Sequence, residues 1–115
     1  MTRYNSNITE LNFNLKGIAI GLSCTSKEIL KRLKKTEFIN EIYVASSSYK
    51  EKNEENTIPL IKPKEFFKKQ WEDLDLIIFV GSIGASIRLI NSFLTSKDQD
   101  PGVIVIDNKL SLIHI

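Results

Sequence analysis

Gly81 and Gly84 stand at the exit of an unbroken apolar run, with Ser82 and Ile83 between them and Arg88 about one turn beyond Gly84. Glycines there let a backbone approach a ligand closely. A helix opening at this point aims free N–H groups and the positive end of its dipole outward. Arg88 is placed to add a bidentate contact to a carboxylate or phosphate. The chemistry suggested is anion recognition at Gly81, Ser82, Gly84 and Arg88. The same residues also make a plain strand-to-helix turn with a surface arginine, and spacing alone does not separate the two. The pattern matches neither the phosphate loop nor the dinucleotide fingerprint.

Other reactive types are sparse. Gly21–Ser26 (GLSCTS) is rich in hydroxyls, but Thr25 with Glu28 three residues on forms a capping box, which accounts for much of it. Cys24 has no histidine nearby and reads as a packing residue. Asp98, Asp100 and Asp107 lie in a loop or at a strand end. Asp107, just past a buried strand, is the best placed for a general base. His114 is the sole imidazole, a base or ligand by type, although its place next to the last residue favours a frayed or packed side chain. No metal site is expected, since one Cys and one His exclude a multi-thiolate cluster.

The elements that would position these groups alternate. Gly17–Leu22, Ile42–Ala45, Asp75–Val80 and Val103–Ile106 are short runs rich in Val, Ile and Leu, as in strands buried on both faces. A capped helix with Ile29, Leu30, Leu33 and Phe38 on one stripe follows the first run. A second helix opens at Pro63 and carries Phe66, Phe67 and Trp71. A third places Ile83, Ile87, Ile90 and Leu94 at helical spacing. Ile58–Ile61 reads as a minor strand interrupted by Pro59, residues 46–57 as a solvated loop, and Leu110–Ile115 as a further strand. The expectation is an α/β fold: a small doubly wound, flavodoxin-like, three-layer domain with a mainly parallel sheet. Residues 1–15 are expected to be a flexible arm and 16–115 a single domain.

Composition narrows the partners. The net charge of +2, from 16 Lys+Arg against 14 Asp+Glu, selects neither nucleic acid nor an anionic membrane. No apolar run approaches the roughly 20 residues needed to span a bilayer. With no signal-like start and a lone cysteine, the expected location is the cytoplasm.

Residues 74–107, LDLIIFVGSIGASIRLINSFLTSKDQDPGVIVID, resemble the N-terminal domain of the cobalt-precorrin-5A hydrolases of cobalamin biosynthesis (CbiG-like). The matching positions are Gly84, Arg88, Leu94, Lys97, Asp100, Pro101, Val103–Ile106 and Asp107. The resemblance extends over roughly residues 16–113. It implies opening of the δ-lactone of a cobalt-bound contracted tetrapyrrole, with release of acetaldehyde. Gly81–Gly84, Arg88 and Lys97 would then cradle its acetate and propionate arms. Asp100 or Asp107 would be the base, with His114 one position early for the family histidine. No cofactor of its own is implied, because the cobalt travels with the substrate. Family members continue into a glycine-rich turn, a further helix and a C-terminal domain, so the resemblance implies a chain lacking its C-terminal helix and following domain. The implied partners are the cobalt-corrinoid intermediate and a C-terminal hydrolase domain or other corrin-pathway enzymes. The competing reading is a non-catalytic anion- or tetrapyrrole-binding module, or a truncated remnant; a generic phosphate-binding domain is a further rival.

Overall fold

The computed structural model describes residues 15–23, 27–45, 57–95 and 99–107, and the backbone of 112–114. The elements run β1 (Gly17–Gly21), α1 (Lys27–Lys34), β2 (Glu41–Ala45), β3 (Thr57–Leu60), α2 (Pro63–Gln70), β4 (Leu76–Val80), α3 (Ile83–Ile90), β5 (Gly102–Ile106) and β6 (Leu112–His114). Short 3-10 turns, Trp71–Asp73 and Asn91–Phe93, extend α2 and α3. The strands form one sheet in the order β3-β2-β1-β4-β5-β6. The first five are parallel, and β6 returns antiparallel along β5. Without β3, the order is that of a flavodoxin-like sheet with its last strand reversed; β3 is an addition outside β2. Pro59 in β3 fits that edge position, since proline donates nothing to a ladder.

Unbroken apolar strands require cover on both faces, and alternation along each strand supplies two cores. Ile18, Ile20, Ile77, Phe79, Val103 and Val105 face α2 and α3, where they meet Phe67, Trp71 and Ile90. Ala19, Ile42, Val44, Ile78 and Val80 face α1, where they meet Leu30. The first core is strongly aromatic. Phe67 stands edge-on to Trp71 at 5.8 Å, and Phe93 lies 5.9 Å from Phe67 and 5.7 Å from Trp71.

Two helical stripes differ from the sequence reading. The helix bearing Ile29, Leu30 and Leu33 stops at Lys34, where the Thr36 hydroxyl donates to the Leu33 carbonyl at 2.7 Å. Phe38 therefore lies beyond it and is 58% exposed. In α3 the buried residues are Ser86 and Ile90, flanked by the partly buried Leu89 and Phe93. Ile83, Ile87 and Leu94 are exposed instead. The Ser82 cap sets the phase of the helix, and the 3-10 turn after Ile90 brings Phe93 rather than Leu94 to the core.

The amino edge of the sheet is held by polar contacts. The Lys16 N–H donates to the Asp75 carboxylate at 2.8 Å, and the Asp75 N–H donates to the Lys16 carbonyl at 2.8 Å. The Gly102 N–H donates to the Asp75 carbonyl at 2.9 Å, so one residue joins the entries of β1, β4 and β5. The Gly17 N–H donates to the Asn40 side-chain oxygen, and the Asn40 N–H to the Gly17 carbonyl.

In β2, the Tyr43 hydroxyl donates to Glu41 at 2.8 Å. Burial first, then the hydrogen bond to Glu41 and its charge, push the phenol above its ordinary value of 10.0. The neutral phenol is thus favoured by the fold. Its stabilising contribution is complete below about pH 10 and declines as pH rises beyond that value. Alkaline unfolding of Tyr43→Phe, followed by circular dichroism, should show a shallower loss of stability above pH 10 than the parent chain.

Candidate functional site at the carboxyl edge of the sheet

The chain leaves β1 toward β2 on one side, whereas β4 leads to β5 on the other. The carboxyl ends of β1 and β4 therefore flank the switch point of the sheet, where open α/β folds bind ligands. Three strand exits meet at this edge. The Leu22 N–H donates to the Val80 carbonyl at 2.9 Å, and the Gly81 N–H donates to the Ile106 carbonyl at 2.9 Å. Gly81 has φ +154°, and a Cβ there would lie 2.7 Å from the Leu22 Cβ. Only glycine lets the exits of β1 and β4 close on each other in this way. Gly81 is buried, so its part in the site is to shape the floor.

Ser82 caps α3. Its side chain accepts the Ala85 N–H at 3.2 Å, while its carbonyl accepts the Ser86 N–H at 3.1 Å and the Ser86 hydroxyl at 2.9 Å. The Ser82 hydroxyl expected to bind substrate is thus engaged by the helix it starts. Gly84 differs from Gly81: it is exposed, and a Cβ there would meet nothing within 4 Å. Arg88 lies four residues further along, on the same side of α3 as Gly84, and is exposed. Asp107, half-buried, follows Ile106 directly and so stands beside Gly81. Gly81, Ser82, Gly84, Arg88 and Asp107 thus gather at or near one edge.

Asp100 is elsewhere. It precedes β5, whereas Asp107 follows it, and five strand residues separate the two by at least about 16 Å. Its carboxylate accepts the Trp71 indole N–H at 3.2 Å, the Thr95 N–H at 2.7 Å and the Thr95 hydroxyl at 2.9 Å. Asp100 fastens the loop before β5 to the end of α2, on the far side of the sheet from the switch point. The structure supports Asp107 rather than Asp100 as the carboxylate of the carboxyl edge.

The His114 backbone pairs with Ile104, the middle residue of β5, at one end of the β5–β6 ladder. Lys97 and Asp98 lie outside the described residues, as do Cys24 and Thr25 of the expected capping box. No group of three or more His, Cys, Asp or Glu that could hold a metal occurs among the described residues. No described helix is long and apolar enough to cross a membrane. The sequence reading did not single out the exposure of Ile83 and Ile87 beside Gly84; four apolar residues at helical spacing suggest a core stripe unless the phase of the cap is known.

Fold and edge together define a doubly wound α/β domain with a topological switch point between β1 and β4. Residues 65–114 match the family model described as cobalamin synthesis G N-terminal. Among solved structures, the chain is similar to a cobalamin biosynthesis protein G homolog from Sulfolobus solfataricus, with a TM-score of 0.56 and 20% identity. That similarity covers 90% of this chain and 29% of the other, so this chain spans about three tenths of its length. At that identity the likeness is one of fold. A search of curated proteins gives no match.

Two substitutions separate the roles of the two edges. Asp100→Ala leaves the Trp71 indole and Thr95 without their acceptor and should lower stability by about 1–3 kcal/mol in urea unfolding, with a shift in Trp71 fluorescence. Gly81→Ala should destabilise by a similar amount, about 1–3 kcal/mol, because the new methyl meets Leu22 and the backbone is strained.

Proposed function

We propose that this chain acts in cobalamin biosynthesis as the N-terminal domain of a cobalt-precorrin-5A hydrolase, working in the cytoplasm with a C-terminal hydrolase domain or another corrin-pathway enzyme. The observation that carries this reading is the family-model match over residues 65–114, which includes α3, β5 and two of the three strand exits. The substrate is a polyanion that carries its own cobalt. Arg88 pairs with one of its carboxylate arms, and the first-turn N–H groups of α3 receive another. Lys97 is proposed as a further cationic contact and His114 as an auxiliary proton carrier.

In the reaction, water adds to the lactone carbonyl and the C–O bond breaks, leaving a carboxylate and an alcohol. Cleavage of the C–C bond that carries this alcohol then frees acetaldehyde, and the ring carbon takes the proton. Asp107 at the carboxyl edge is the base that accepts a proton from the attacking water.

The second reading is a binding module without catalysis. It is favoured by the position of Asp100, which removes one of the two alternative bases from the edge.

Incubation with the cobalt-corrinoid lactone, followed by absorbance and by trapping of acetaldehyde, separates the readings. Hydrolase function predicts acetaldehyde in proportion to protein, at least a hundredfold loss of rate in Asp107→Asn with binding retained, and roughly tenfold weaker binding in Arg88→Ala. An absorbance shift without acetaldehyde supports the binding module. No shift and no product rejects both.

A further inference from the structure

The outer face of α3 combines four features. Ile83 and Ile87 are each 38% exposed. Gly84 lies beside the Ile83–Ile87 ridge, on the side of Arg88, with open space where a side chain would be. The Arg88 guanidinium, next to Gly84 on the same face, has no partner among the described residues. A glycine inside a helix lowers helix stability relative to alanine, and nothing packed against Gly84 requires one. Its effect is to leave bare backbone beside two isoleucines, with a cation next to it.

We infer that this face is a platform for one flat side of a ring ligand: the ring lies over Gly84 and against Ile83 and Ile87, and Arg88 holds a carboxylate on its rim. This deepens the proposed function and rests on it, by naming which surface of the domain takes the ring itself rather than its arms. A macromolecular partner fits the face poorly. Two half-exposed isoleucines and a glycine fall far short of the roughly 800 Å² per partner that a stable protein interface buries. A ring with an anionic rim matches the patch in its pairing of apolar surface with a cation that has no partner among the described residues.

The test uses cobyrinic acid, a cobalt corrin with free carboxylates, and tricarballylate, which has carboxylates and no ring. Binding is followed by absorbance and calorimetry, and association state by sedimentation. Gly84→Ala should raise the thermal midpoint or leave it unchanged, yet weaken cobyrinic acid roughly tenfold or more, since one added methyl lifts the ring from the backbone. Ile87→Ser, at an exposed position, should weaken it by a similar factor, and all forms should sediment alike. Tricarballylate should bind the parent and both variants equally weakly.

If the parent binds cobyrinic acid and both variants bind it equally well, the platform is rejected while the proposed function stands. If Ile87→Ser changes the association state, the face belongs to a protein interface and the platform is rejected. If tricarballylate competes as well as the corrin, the ring contributes nothing and the platform is again rejected. Failure of the parent to bind any corrin rejects the platform and the proposed function together.

Discussion

The approach of the β1 exit to the β4 exit is the constraint on which the carboxyl edge depends. Leu22 donates to the Val80 carbonyl, and the next residue after Val80 must turn sharply into a helix without occupying the space of the Leu22 side chain. Gly81, at a positive φ that side-chain-bearing residues rarely adopt, meets that requirement. Its N–H simultaneously reaches the Ile106 carbonyl, so the position of Asp107 follows from that of Gly81. The start of α3, the end of β5 and the floor of the crevice are therefore set by one backbone geometry. A substitution there would displace several functional groups at once rather than remove one.

The two edges of the sheet divide their labour. At the amino edge, Asp75 ties together the entries of three strands and Asp100 gathers three donors from Trp71 and Thr95. These carboxylates satisfy groups that would otherwise be left unpaired near the aromatic core, and that is a structural task. At the carboxyl edge, Gly84 and Arg88 are exposed, and the packing of the domain requires neither. Polar residues with their partners inside the fold mark the stable end. Residues that the fold does not need mark the end available to a ligand.

Much of this organisation was legible in the sequence, for a physical reason. Strands buried on both faces leave an unbroken signal, and Gly17–Gly21, Leu76–Val80 and Gly102–Ile106 appear within a residue or so of the expected bounds. The clustering of Gly81, Ser82 and Asp107 also followed, because exits of parallel strands share one edge. Helix phase was less legible. Ile83, Ile87, Ile90 and Leu94 form a plausible core stripe, but the cap and the 3-10 turn select Ser86, Ile90 and Phe93 instead. The role of Asp100 was hidden for a different reason. The strand expected at Val103–Ile106 already separates Asp100 from Asp107 and puts them at opposite ends of the sheet, but the approach of the Trp71 indole to Asp100 is a contact of the fold that no spacing shows.

That separation bears on the chemistry more than any single distance. An aspartate followed by proline in a loop looks reactive when only its type is considered. Yet Asp100 already accepts three hydrogen bonds, which hold its carboxylate in place between Trp71 and Thr95. A base must reach the proton it removes, and Asp100 lies at the wrong end of β5 for any ligand held at Gly84 and Arg88. In the proposed reaction, acid–base work at this edge therefore falls on Asp107. If catalysis by this fold requires a second carboxylate, it must come from chain that completes the crevice from outside β1, β4 and β5.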